Sequence, residues 1–113
     1  MKYEILFNAK FQKQQDCEDM YDLLLGKKGL AFIQGGDFLT IETSLEKQYG
    51  VNCNYVINKK SDRDKLFDEV KVKGDATINQ GDLKAIKWRH DEGLPCELEK
   101  EVRWGDPDEV IHV

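Results

Sequence analysis

Twice in this chain a run with every second residue apolar gives way to a run with helical spacing, and this double switch limits the fold more than any other feature. From Tyr3 to Phe11 the apolar side chains Tyr3, Ile5, Phe7, Ala9 and Phe11 alternate with positions that include Glu4, Asn8 and Lys10. A period of two puts the apolar set on one face of a strand. From Cys17 the period changes: Cys17, Met20, Tyr21, Leu24 and Leu25 fall at i, i+3, i+4, i+7 and i+8, with Glu18, Asp19 and Asp22 on the other side. That spacing predicts an amphipathic helix, and Gly26 supplies a left-handed stop that ends it at about Leu25.

Two further strands are predicted around Gly35-Gly36, one over Leu30 to Gln34 and one over Asp37 to Thr43. A two-residue glycine loop matches strand twist and makes a hairpin in which Ile33 faces Phe38 and Phe32 faces Leu39. The order then repeats. Val51, Cys53, Tyr55 and Ile57 alternate with Asn52, Asn54, Val56 and Asn58 in a strand. Ser61 to Asp64 resembles a capping box, and Leu66, Phe67 and Val70 give a second helix an apolar stripe that runs to Gly74. Val70 to Val72 would also suit a strand.

Residues 83 to 104 fit one hairpin closed by Asp91-Glu92-Gly93. In that register Lys87 faces Glu97, Ile86 faces Leu98 and Trp88 faces Cys96, so opposite charges meet on one face and apolar groups on the other. Ile86, Trp88, Leu98, Val102 and Trp104 then share a face that must be covered, by the chain's own helices or by a second copy, which predicts a buried Trp104 in the core or in a homodimer interface. After Pro107 in a GDPD turn a last strand is predicted from Val110 to Val113.

The fold class expected is therefore α+β. Tandem strand-helix-hairpin (βαββ) units span 1–49 and 50–113 of a single domain, with an extra C-terminal strand and a mixed sheet packed on two helices. At 113 residues the chain suits one domain. No apolar run approaches the roughly 18 to 20 residues of a membrane span, and the N-terminus lacks the pattern of a signal peptide. Cys17, Cys53 and Cys96 are too far apart for a metal or redox pair; a reducing cytoplasm is their simplest setting.

The charge is unevenly placed. The net charge is −5, and residues 91–113 hold eight acids against Lys100 and Arg103. Such an end repels nucleic-acid phosphates and attracts a cationic small molecule or a basic protein, unless it is simply a solvated edge. No GxSxG, P-loop, HExxH or dinucleotide fingerprint occurs. Glu97, Glu99 and Glu101 alternate along one strand without a partner of contrasting environment, which leaves them without the makings of an acid/base pair.

The run "MYDLLLG", followed by "GGDFLTIET", resembles the first half of a vicinal-oxygen-chelate module, the family of glyoxalase I, extradiol dioxygenases, fosfomycin-resistance enzymes and bleomycin-resistance proteins. "NYVINKKSDRDKLFDEVKVKG" is similar to the opening of the second module, and "WGDPDEVIHV" to its terminal turn and strand, although the glycine and asparagine of the family's DPxGN turn are missing. Catalytic members hold a divalent metal with four His, Glu or Gln side chains. Only His112 lies near a matching position, so the resemblance implies a non-catalytic member with neither metal nor cofactor. It further implies a sheet-lined, acidic groove for a small cationic or aromatic ligand, and two copies that pair or swap. Trp88, Trp104, Tyr55, Glu101 and His112 are the candidate ligand-binding residues; either indole could instead be a core aromatic. His90, beside a turn, reads as solvated. The alternative expectation is an acidic protein-binding module, an inhibitor or immunity-type protein that plugs a basic partner.

Overall fold

Alternating apolar residues leave each strand with one face that water disfavours, and two amphipathic helices with matching stripes are at hand to cover it. In the computed structural model, which describes residues 2–27, 39–43, 49–89 and 96–105, they do so. The elements are β1 (Tyr3–Phe11), α1 (Gln14–Gly26), β2 (Leu39–Thr43), β3 (Tyr49–Ile57), α2 (Lys60–Thr77), β4 (Ile78–Trp88) and β5 (Cys96–Trp104). Ile5, Phe7, Ala9 and Phe11 of β1, Val51, Cys53, Tyr55 and Ile57 of β3, and Leu83 and Ala85 of β4 are buried together with Cys17, Met20 and Leu24 of α1 and Leu66, Phe67 and Val70 of α2. Each large side chain buried in this way contributes roughly 1.5–3 kcal/mol. Both helices thus lie on one face of the sheet, and the other face carries no helix among the described residues.

The five described strands run in the order β2-β3-β1-β4-β5, and every pairing is antiparallel. The mixed sheet expected from the sequence is replaced by an antiparallel one for a topological reason. Each helix still joins two strands of like direction, but one antiparallel strand is inserted between them: β3 between β1 and β2, β1 between β3 and β4. This is the double split β-α-β arrangement of ferredoxin-like folds, with β5 added outside β4. The strands of residues 1–49 and 50–113 are therefore interleaved.

Helix boundaries differ from expectation at three places. Gly26 is the last residue of α1 and is not left-handed; Lys27 caps the helix, its N–H donating to the carbonyl of Leu24 at 3.0 Å. Ser61 lies inside α2, whose N-cap is Lys59 with no side-chain cap. Gly74 continues α2 where a stop was expected. A Cβ there would come within 2.6 Å of Ile78 Cδ1 and 2.8 Å of Trp104 Cζ2, so the glycine makes room for an indole. The hairpin around Gly35-Gly36, the turn at 91–93 and the strand at 110–113 lie outside the described residues.

The β4–β5 register is the one expected: Ile86↔Leu98, Lys87↔Glu97 and Trp88↔Cys96. The shared face is not. A bulge between Ala85 and Ile86 leaves Glu99 as the extra residue on β5, and a single extra residue turns the rest of the strand over. Ile86, Trp88 and Leu98 stay on the open face, with Leu98 53% exposed, while Val102 and Trp104 rotate onto the helix side and pack against the core. Trp104 is half-buried, edge-on to Phe7 with ring centroids 6.3 Å apart, and its indole N–H donates to Asp75 Oδ1 at 2.8 Å.

Glu99 turns inward because Arg63, fully buried in α2, calls for a counter-charge. Its Nη2 meets Glu99 Oε1 at 2.7 Å, Nη1 donates to the Ile86 carbonyl at 3.0 Å and Nε to Asp64 Oδ1 at 2.9 Å. The guanidinium also lies 5.2 Å over the Tyr3 ring. No helix among the described residues is long and apolar enough to cross a membrane.

Candidate functional site

Since the helices occupy one face of the sheet, a site for anything else is to be sought on the other, where β1, β3 and β4 expose the side chains that alternate with the core. Asn52 and Asn54 of β3, Leu6, Asn8 and Lys10 of β1, and Gln80, Asp82 and Lys84 of β4 lie there in register, with Asn8 opposite both Asn52 and Asp82. On β5 the bulge brings Glu101 opposite Lys84 and Arg103 opposite Asp82. Two depressions follow these rows. One, of about 400 Å³, is lined chiefly by Leu6, Asn8, Asn52, Asn54, Asp82 and Lys84. The other, of about 420 Å³, adds Lys10, Gln80, Arg103 and, at its end, Trp104 and Gly105. They share Asn8 and Asp82 and form one trough across the sheet.

Polar groups in this trough are left with hydrogen-bonding capacity to spare. The side chains of Asn8, Lys10, Gln80 and Asp82 make no hydrogen bond or ion pair with any described residue. Asn54 Oδ1 is shielded from solvent and has no partner among the described residues, a situation that costs about 1–3 kcal/mol when nothing compensates it. Lys84 Nζ lies 3.9 Å from Glu101 Oε2, and Arg103 Nε lies 3.5 Å from the same oxygen, so Glu101 is held at the rim by two cations. Among the described residues, three cations, Lys10, Lys84 and Arg103, line the trough against Asp82 and, beside it, Glu101. The lining is thus amide-rich and weakly positive, in place of the acidic groove expected. Gly105 ends β5 in the left-handed region at φ 64° and closes the trough.

The residues singled out from the sequence do not converge here. Tyr55 is buried on the helix face, its hydroxyl donating to the Leu24 carbonyl at 2.6 Å. Trp88 is on the open face but pairs across from Cys96, at the far end of β5 from Trp104, about 26 Å along the strand. Its indole N–H donates to Glu4 Oε1 at 2.7 Å, and Lys2 Nζ lies 5.8 Å from its ring centroid. The two indoles therefore sit too far apart to hold one ligand. The indole of Trp104 lies on the helix face, against Phe7 and Asp75, so that only its position at the end of β5 borders the trough. Glu101 stands beside the trough with Lys84 and Arg103, and His90 and His112 lie outside the described residues.

Asn8, Asn54, Asp82 and Lys10 are the residues that sequence reasoning missed. Polar positions alternating with a core face look like any solvated strand, yet asparagine is disfavoured in strands. Its recurrence at 8, 52 and 54 was the available signal. Of the three cysteines, Cys17 and Cys53 are buried and Cys96, expected on an apolar face, is exposed. Burial, and then the neighbouring Glu18 charge, push the Cys17 thiol up from its ordinary value, which makes it a poor nucleophile. No three His, Cys, Asp or Glu side chains come together as a metal site among the described residues. Compared with protein-family models, with curated proteins and with solved structures, the chain matches none, so its chemistry is read from the trough itself.

Proposed function

We propose that this protein is a non-catalytic binding module that takes a small polar ligand into the trough on the open face of its sheet. The observation that carries this reading is the unspent hydrogen-bonding capacity of Asn8, Asn54, Asp82, Lys10 and Gln80, gathered in one depression beside a shielded acceptor. Ligand pockets characteristically combine a concave surface of a few hundred cubic ångströms with a few convergent polar groups. The positive balance of the lining favours anionic groups on the ligand over the cationic or aromatic ones implied by the vicinal-oxygen-chelate resemblance. Kinship with that family rests on the motifs alone, with its βαββ units kept as a repeat of element order. A cytoplasmic setting belongs to the same reading, since none of the three cysteines forms a disulfide.

The alternative, an acidic module that blocks a basic protein, draws on the acids of the C-terminal stretch. Of these, Glu97 faces Arg89 at 3.5 Å, Glu99 meets Arg63 and Glu101 is shared by Lys84 and Arg103, which spends much of their charge within the fold. Amide chemical-shift mapping with a library of small polar compounds separates the two readings. Shifts confined to Asn8, Asn54, Gly81 and Asp82 support the trough. Shifts along β5 with a basic protein, and none with any small compound, would sink it.

A further inference from the structure

We propose that the end of the trough bounded by Lys10, Asp82 and Arg103 binds a small zwitterion, a molecule with one ammonium and one carboxylate a few bonds apart. The inference rests on the trough being the ligand site and adds the class of ligand. Asp82 is directly opposite Arg103 on one side and Asn8 on the other, while Lys10 stands on the diagonal, roughly 7–8 Å away at the backbone. Two cations thus flank one half-buried carboxylate, and none of the three pairs with another. Asp82 and Lys10 have no partner among the described residues, and Arg103 commits only its Nε, to Glu101.

A ligand that seats its ammonium on Asp82 and its carboxylate between Lys10 and Arg103 satisfies all three groups at once. A dianion brings its second carboxylate against Asp82, a diammonium brings its second ammonium against a cation, and a singly charged ligand engages one pole of the site and leaves the other without a partner. The neutral amides of Asn8 and Gln80 can donate or accept at either pole. A depression of about 420 Å³ is ample for such a molecule.

The test is titration of the full chain at constant ionic strength with glycine, β-alanine, γ-aminobutyrate and δ-aminovalerate, followed at the amides of Asn8, Gly81 and Asp82. Acetate, propylammonium, succinate and putrescine serve as controls. At least one zwitterion should bind tenfold or more tightly than every control. Asp82→Asn should reduce that zwitterion to the level of acetate, and Lys10→Met with Arg103→Gln to the level of propylammonium, with thermal melts confirming that each variant folds. Asp82→Ser replaces Asp82→Asn if the latter does not. Equal affinities across zwitterions and controls, or an undiminished preference in the Asp82 variant, would overturn the inference. If another small compound then shifts the same amides, the trough remains the site and only the ligand class is wrong; if none does, both readings fall.

Discussion

Arg63 is completely buried, and its energetics depend on keeping every donor engaged. Removing one partner of a buried ion pair costs about 3–5 kcal/mol, because the remaining charge stays desolvated. Arg63→Ala removes the charge itself but strips Glu99 of its partner, the Ile86 carbonyl of a donor and Tyr3 of a cation over its ring. Chemical denaturation should show a loss at the low end of that range. A pH dependence belongs to the same cluster. Burial raises the Asp64 carboxyl, but the Arg63 hydrogen bond and charge and Lys100 at 3.4 Å outweigh it and hold the group below its ordinary value of 3.8. A carboxyl depressed in the folded state stabilises above its unfolded value and loses that contribution as pH falls through the folded one. Melting temperature should therefore drop below about pH 4, and less steeply in Asp64→Asn.

At the scale of elements, α2 and β5 fit each other through Gly74 and Trp104. Gly74→Val would drive a branched side chain into Ile78 and the indole, at a cost of roughly 1–3 kcal/mol for overpacking. Red-shifted tryptophan emission together with a lower denaturation midpoint would check it. Elements with a local cause were legible in the sequence: β1 and β3 from alternation, α1 from its stripe, and the Lys87–Glu97 register from charges set opposite one another. What was not legible had a distant cause. The bulge at Glu99 answers to Arg63, 36 residues earlier in the chain, and the passage of α2 through Gly74 answers to Trp104. The bulge then decides which side chains of β5 reach the trough. Trp104 was misplaced for this reason, whereas Tyr55 follows the core alternation of β3, and the asparagines looked like an ordinary wet face.

For the whole molecule, interleaving has a consequence for how the chain can be divided. Among the described strands, β1 and β2 of residues 1–49 are never neighbours, and within 50–113 only β4 and β5 pair; β3 and β4 are held apart by β1. Among the described residues, neither half contains a sheet able to bury its own apolar face. Expressed separately, peptides 1–49 and 50–113 should each be unstructured by circular dichroism and should regain the native spectrum only when mixed. Independent folding of either one would contradict the strand order. The chain thus behaves as a two-part lock, whose open face comes into being only when both parts close on each other, so that ligand binding by the mixture would report reassembly itself.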